Sequence, residues 1–250
     1  MNFRKMSAAL ALAGVVSVTS TAHALTILGT GAGALVGNDL TDLGNNGNKN
    51  TYVGAGNLAG FDAVFFSSNE PGFNGGEFAF NVFDNAVGGG NAKWCCGAGA
   101  GNPITPQIVG ANFSTTHGPI VLSSFTLTSS NDTPTRDPRV WTLEGSNNTT
   151  TGLDGTWTAI YNRNITGSAD WTARNQVIRY SALDGDVFLT NQSFTAFRLN
   201  TTATGATSGA FHALNEIELF GAAPPPIPEP ASFGLLALAG LALARRRRTA

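Results

Sequence analysis

The chain has 250 residues, of which 14 are Lys or Arg and 16 are Asp or Glu, a formal net charge of −2 at pH 7. Arg4, Lys5 and four arginines near the end hold six of those cations and Glu229 one of the acids, so the body between the two ends carries −7. Such a body lacks the clustered Lys and Arg that a phosphate backbone requires, which excludes nucleic acid as a partner, while it suits hard cations held by carboxylates.

Arg4 and Lys5 precede an apolar run over residues 8–18, and Ala22-His23-Ala24 places small residues at both cleavage positions. This predicts a secretory signal peptide over residues 1–24, cut after Ala24 and left out of the fold. Residues 25–60 form a Gly- and Asn-rich extension expected to pack on the main domain. Gly29, Gly31 and Ala34 fit a relaxed dinucleotide-binding fingerprint, but the turn formers that follow offer no helix, so that reading is rejected. Asp39 and Asp42 do not have the spacing of an EF-hand loop and read as a solvated turn.

From residue 61 the texture changes to short strand-like runs separated by turn residues. They fall at residues 61–66, 120–128, 140–143, 157–161, 176–180, 194–200 and 214–220. Many short β-branched and aromatic runs predict an all-β antiparallel sandwich or barrel. Outside the two ends no run of helical period exceeds two turns.

Several stretches then carry a family pattern in order. Phe83-Asp84-Asn85 leads to Trp94, Leu143 to Asn147 ends in Gly-Ser-Asn, Trp157-Thr158-Ala159-Ile160 follows, and Asn215 to Gly221 reads Asn-Glu-Ile-Glu-Leu-Phe-Gly. Together these resemble the discoidin domains, also called factor V/VIII type C or galactose-binding-like domains, over about residues 61–221. The resemblance implies a jelly-roll β-sandwich. It also implies a structural Ca²⁺ joining the Asp-containing loop to the Glu that opens the last strand, here Asp84 and Glu216. The family's Thr two before the Trp is Ala92 in this chain, and Asn91 is the candidate substitute ligand. Two carboxylates with loop carbonyls satisfy a calcium shell of 6–8 oxygens.

Trp94, Trp141 and Trp157 are expected in the core. Trp171 sits in a polar, Gly-containing stretch and is the tryptophan expected at the surface. Exposed rings stack on sugar faces, so Trp171 and Tyr161 are the candidate glycan contacts. Arg136 and Arg139 flank Asp137 in a Pro-bounded loop and fit either anion recognition or a local ion pair. Cys95 and Cys96 are the only cysteines. Adjacent Cα atoms about 3.8 Å apart lie below the usual disulfide span of about 4.4–6.8 Å, so a strained vicinal disulfide, two free thiols and bridges between chains all stand open. After processing only His117 and His212 remain, and none of the nucleophile-elbow, zinc-protease or P-loop signatures occurs. The chain is therefore expected to be non-catalytic.

Residues 222–228, Ala-Ala-Pro-Pro-Pro-Ile-Pro, cannot join a sheet ladder and read as a stiff linker. Pro228, Glu229 and Pro230 follow, then 14 apolar residues at 231–244, then Arg245, Arg246, Arg247 and Arg248. A bilayer core wants roughly 20 apolar residues, so this short helix suits transient inner-membrane insertion, with the arginines held inside. Residues 228–250 resemble the PEP-CTERM sorting signal of Gram-negative bacteria. That resemblance implies removal by an exosortase-type membrane protease and delivery to the cell surface or an extracellular polysaccharide matrix. A plain membrane anchor is the alternative for this tail. For the body, the readings are a binder of glycan or exopolysaccharide, a structural matrix component without a specific ligand, and, furthest from the residues, a polysaccharide-active enzyme.

Overall fold

The computed structural model describes residues 24–47, 56–57, 60–70, 76–97, 106–165, 170–205 and 211–223. Residues 1–23 of the expected signal peptide, residues 224–228 of the expected linker and the sorting tail lie outside them; Ala222, expected in a linker that cannot join a sheet ladder, instead ends the last strand, paired with Val121. Among the described residues thirteen strands form two facing antiparallel sheets and one small pair. The first sheet is built on β6 (Ile120–Thr128), flanked by β9 (Gln176–Ser181) and β13 (Glu216–Ala222); β1 (Thr26–Thr30) pairs with β9, and the two-residue β10 (Ser193–Phe194) pairs with the start of β6. The second sheet runs β2 (Gly56–Asn57), β3 (Val64–Ser67), β5 (Gln107–Asn112), β11 (Ala196–Thr204), β7 (Pro138–Ser146) and β8 (Thr158–Asn164). The pair is β4 (Trp94–Gly97) with β12 (His212–Leu214). The fold is an all-β sandwich, as the strand pattern predicts.

Alternation builds the core. In β11, Phe197 and Leu199 point inward while Arg198 and Asn200 face out, the period-2 geometry of a half-buried strand. Phe125 and Leu127 of β6, Ile217 and Leu219 of β13 and Tyr180 of β9 meet Trp141, Leu143, Tyr161 and Phe197 from the opposite sheet in one cluster. A second aromatic group, Phe61, Phe65, Phe80 and Phe83, closes one end, with ring centroids 4.9–5.6 Å apart.

The N-terminal extension is integral to this body. β1 extends the first sheet, and the segment after it runs along β13: Leu40 N–H donates to Leu219 O at 2.8 Å, and Leu219 N–H donates to Asp39 Oδ2 at 3.1 Å. Asp39 and Asp42 are thus buried rather than a solvated turn. Asp39 accepts from Thr41 and Asp42, and Asp42 accepts from the backbone of Asn46 and Gly47. The segment covers the free edge of β13, which an unprotected sheet would leave open to pairing. Both sheets, their core and this cover come from the described residues between 24 and 223.

Candidate functional site

Three places on the sandwich carry concentrated polar chemistry. The first lies at the start of β13. A 3₁₀ turn over Ala79–Phe83 ends at Asp84, and Asn85 takes a left-handed φ of 57°, which Asn tolerates better than most residues. This bend brings Asp84 to Glu216. Both are buried, and the charge of Asp84 acts on Glu216 together with those of Asp39 and Glu218. Burial, followed by these like charges, holds the Glu216 carboxyl well above the usual carboxylate range. The Asn85 backbone N–H donates to Glu216, yet Glu216 Oε2 and Asn85 Oδ1 are buried without a hydrogen-bond partner among the described residues. Burial raises Asp39 to about 7. Glu218 is satisfied, accepting from Thr126 Oγ1 at 2.7 Å and from the backbone of Val36 and Gly37.

Buried acceptors without donors are costly, and carboxylate, amide and carbonyl oxygens are the ligand types that hard cations take. Among the described residues no three His, Cys, Asp or Glu side chains group as a metal site. The oxygens that fit calcium are therefore two carboxylates plus amide and carbonyl oxygens. Asn91 is exposed, with its carboxamide against Gly76, and the amide beside Glu216 belongs to Asn85.

The second place is one end of the sandwich, where β4, β12 and the turn at Pro134–Arg136 converge. Lys93 is buried, and its Nζ reaches Asn131 Oδ1 at 2.9 Å, Asp132 Oδ2 at 3.0 Å and Glu77 Oε1 at 3.4 Å. Arg136 Nη1 lies 3.2 Å from Asp132 Oδ2, and its guanidinium stands 5.6 Å from the ring centre of Phe211. Phe211 is 44% exposed. The neighbouring His212 is fully buried 4.7 Å from Trp94, and burial lowers it to about 3, so it stays neutral. Cys95 is disulfide-bonded, Cys96 is the other cysteine of the chain, and Arg136 Nη1 lies 3.7 Å from Cys95 Sγ.

The structure corrects several expected contacts. Trp171 is buried, only 5% exposed, and presents no face to a sugar. The partly exposed tryptophan is Trp157, which lies on the outer face with the Arg198 guanidinium 4.0 Å above its ring. Tyr161 is buried too, its hydroxyl donating to Asp186 Oδ1 at 2.9 Å. Arg139 is buried and donates to the carbonyls of Thr204 and Ile165. Asp137 pairs with neither flanking arginine. Arg174 grips it through Nη1–Oδ1 at 2.8 Å and Nη2–Oδ2 at 2.6 Å. Of the four glycan candidates only Arg136 keeps an accessible head, and the sequence reading misses its companions Phe211, Lys93 and Asp132. Phe211 reads as one more apolar residue leading into the last strands, so nothing local marks it as exposed.

The third place is a cleft of about 450 Å³ between β8 and the loop after β9, lined by Leu25, Tyr161, Asn162, Arg163, Gly185, Asp186, Val187 and Leu189.

Residues 226–248 match the family model of the PEP-CTERM protein-sorting motif. No curated protein matches the chain. Among solved structures the sandwich is similar to chitosan-binding module 1 of a chitosanase/glucanase from Paenibacillus sp. IK-5, at 18% identity and a TM-score of 0.41, covering 64% of this chain and 96% of that one. It is similar to a family 32 carbohydrate-binding module from Clostridium perfringens in complex with galactose, at 16% identity and a TM-score of 0.40, covering 63% and 93%. A further Clostridium perfringens module, in complex with GalNAc-β-1,3-galactose, aligns at 14% identity and a TM-score of 0.42, covering 64% and 95%.

Proposed function

We propose that this is an exported, non-catalytic surface protein whose sandwich binds glycan, with a structural calcium at Asp84 and Glu216. The sorting motif at 226–248 supplies the address, and an exosortase-type protease is the partner at the tail. The observation that carries glycan binding is the loop end, where the exposed Phe211 ring stands beside the Arg136 guanidinium and the Asp132–Lys93 pair. An apolar ring face with fixed donors and acceptors around it is what a pyranose needs, because its C–H face stacks while its hydroxyls bond at the rim. Residues 24–223 probed against a glycan array should bind a restricted set of saccharides. Uniform absence of binding would favour the structural-component reading.

Calcium binding has its own expected outcome. A ligand that binds only the folded state adds RT ln(1 + [L]/Kd), about 2.7 kcal/mol at a hundredfold excess over Kd, or several degrees at roughly 2–4 °C per kcal/mol. The oxygens that fit are those of Asp84, Asn85 and Glu216. Protons compete for these carboxylates, so the calcium increment should fade with acid. Without metal the sign reverses. Glu216 has a raised pKa in the fold, so the folded state holds a proton that the unfolded chain has lost, and metal-free stability rises as pH falls toward about 4. Glu216→Gln should abolish the calcium increment and raise the metal-free melting point, by less at pH 5 than at pH 8. A wild-type melting point indifferent to millimolar calcium would remove the site.

A further inference from the structure

We propose that the end of the sandwich from which the chain leaves for its sorting tail rests on the lipid bilayer, through exposed apolar side chains, while that tail is inserted. The proposal rests on the reading that the apolar run at 231–244 enters the membrane before it is removed. It is independent of glycan binding.

The strand registers define that end. Ala222, the last residue of β13, pairs with Val121 of β6, and Ser193 of β10 pairs with the same Val121. Asn147, just past β7, donates to Ser193 O and accepts from Thr195 N–H. Ser181, which closes β9, pairs with Ser124, itself opposite Phe220 of β13. The loops after β7 and β9 therefore flank the point where the chain leaves. Phe211 and Arg136 stand at the other end of the strands, where Asn215 N–H donates to Thr128 O and Gly205 N–H donates to Asp137 O.

Both loops hold apolar side chains out in water. Leu183 is 98% exposed, Val187 75%, Leu189 54% and Leu153 47%, four of the eight large apolar residues exposed among the described residues. Exposed apolar residues scattered singly are ordinary, but half of them gathered at one end mark a contact surface. Each loop is braced. Asp154 accepts from the hydroxyls of Thr149, Thr150 and Thr151 and from the N–H groups of Thr150 and Thr151. Ser181 Oγ accepts from Leu183 N–H, and Asp184 pairs with Arg179. Prongs already fixed in place lose little freedom on docking.

The way the chain leaves identifies the occupant. Nine residues separate Ala222 from Ala231, about 30 Å at full stretch, so an inserted tail keeps this end beside the bilayer. The contact is then intramolecular, at an effective concentration on the order of millimolar, and a few apolar side chains suffice. Neither residues 147–156 nor residues 182–192 include a Lys or Arg. Attachment is therefore by apolar insertion, and a zwitterionic lipid suits it without any help from anionic headgroups.

Residues 25–250 reconstituted into phosphatidylcholine vesicles carrying a headgroup-level quencher test this. No native cysteine is free among the described residues, so a fluorophore is placed through Ala182→Cys, or through Thr133→Cys at the far end, both positions exposed. The prongs reach about 5–10 Å into the headgroup boundary and the far end lies a strand length away, so the probe at 182 should be quenched at least about threefold more than the probe at 133. Leu153→Asp/Leu183→Asp should bring the probe at 182 down to the level at 133, with the near-UV circular dichroism unchanged because both leucines are exposed. Equal quenching at the two positions in protein that floats with the vesicles would overturn the proposal, as would quenching at 182 that the aspartates leave intact. Quenching that requires anionic lipid, or disappears in 1 M salt where charges are screened beyond about 3 Å, would overturn the apolar mode of contact. Protein that does not float with the vesicles would sink the proposal together with the insertion of the tail on which it rests.

Discussion

Arg174→Met should destabilise the sandwich by about 3–5 kcal/mol at pH 8, the cost of leaving one member of a buried ion pair without its partner. Asp137 has no solvent exposure and Arg174 reaches it in a two-pronged grip, with its own side chain 24% exposed. Burial already raises Asp137 to about 6 despite the opposing pull of Arg174. Removing the guanidinium removes that pull, so the carboxyl moves higher still. The sign follows from proton binding. Between the unfolded carboxylate pKa, about 4, and the raised folded value, the folded state holds a proton that the unfolded chain has released, and stability grows as pH falls. The gap between variant and wild type should therefore be widest at pH 8 and narrow toward pH 5. Urea unfolding at both pH values reads it directly. A gap independent of pH would mean that Arg174 acts through packing and not through its charge.

Phe125→Ala should cost about 3–5 kcal/mol, the range for truncating a large buried aromatic. Phe125 has no exposure and sits at the centre of the ring cluster, with centroids 4.8 Å from Tyr180, 5.5 Å from Tyr161, 6.0 Å from Trp141 and 6.1 Å from Phe188. Its neighbours come from both sheets, so the void cannot close by moving one strand, which places the loss toward the upper end. At roughly 2–4 °C per kcal/mol the melting point should drop by about 10 °C or more. The calcium increment should survive, because the carboxylates lie elsewhere. A loss below about 2 kcal/mol would mean that the two sheets can close over the gap.

Strands with dense β-branched and aromatic residues, such as β6 and β13, were legible because local alternation already states their inner face. β5 was not, although it pairs with both β3 and β11 at the middle of its sheet. Its Gly110 weakens the strand pattern, and only the fold reveals the reason for the glycine: a Cβ there would meet the Phe66 ring and Phe197 O at 2.4 Å. The exchange of roles between Trp157 and Trp171 has a similar origin. Trp157 and Tyr161 are four apart, so simple alternation would put both on one face. A register shift against Leu143 and Glu144 breaks the parity of β8, a bulge that re-aims side chains, and Trp157 ends under Arg198 on the outer face. Asp39 looked like a turn residue because its determining partner, Leu219, is 180 positions away. The pairing of Asp84 with Glu216 was reached through family resemblance. The loop-end cluster needed coordinates, since Lys93, Asp132, Arg136 and Phe211 share no spacing rule.

Equilibrium binding of residues 24–223 to exopolymer extracted from the producing cells, measured for wild type and Phe211→Ala, tests the central claim most directly. The exposed ring beside Arg136 predicts saturable binding that weakens roughly tenfold in the variant, about 1.4 kcal/mol, the scale of truncating one contact residue at a binding surface. Binding that does not saturate, or that is identical in the two proteins, would contradict glycan recognition at this end of the sandwich.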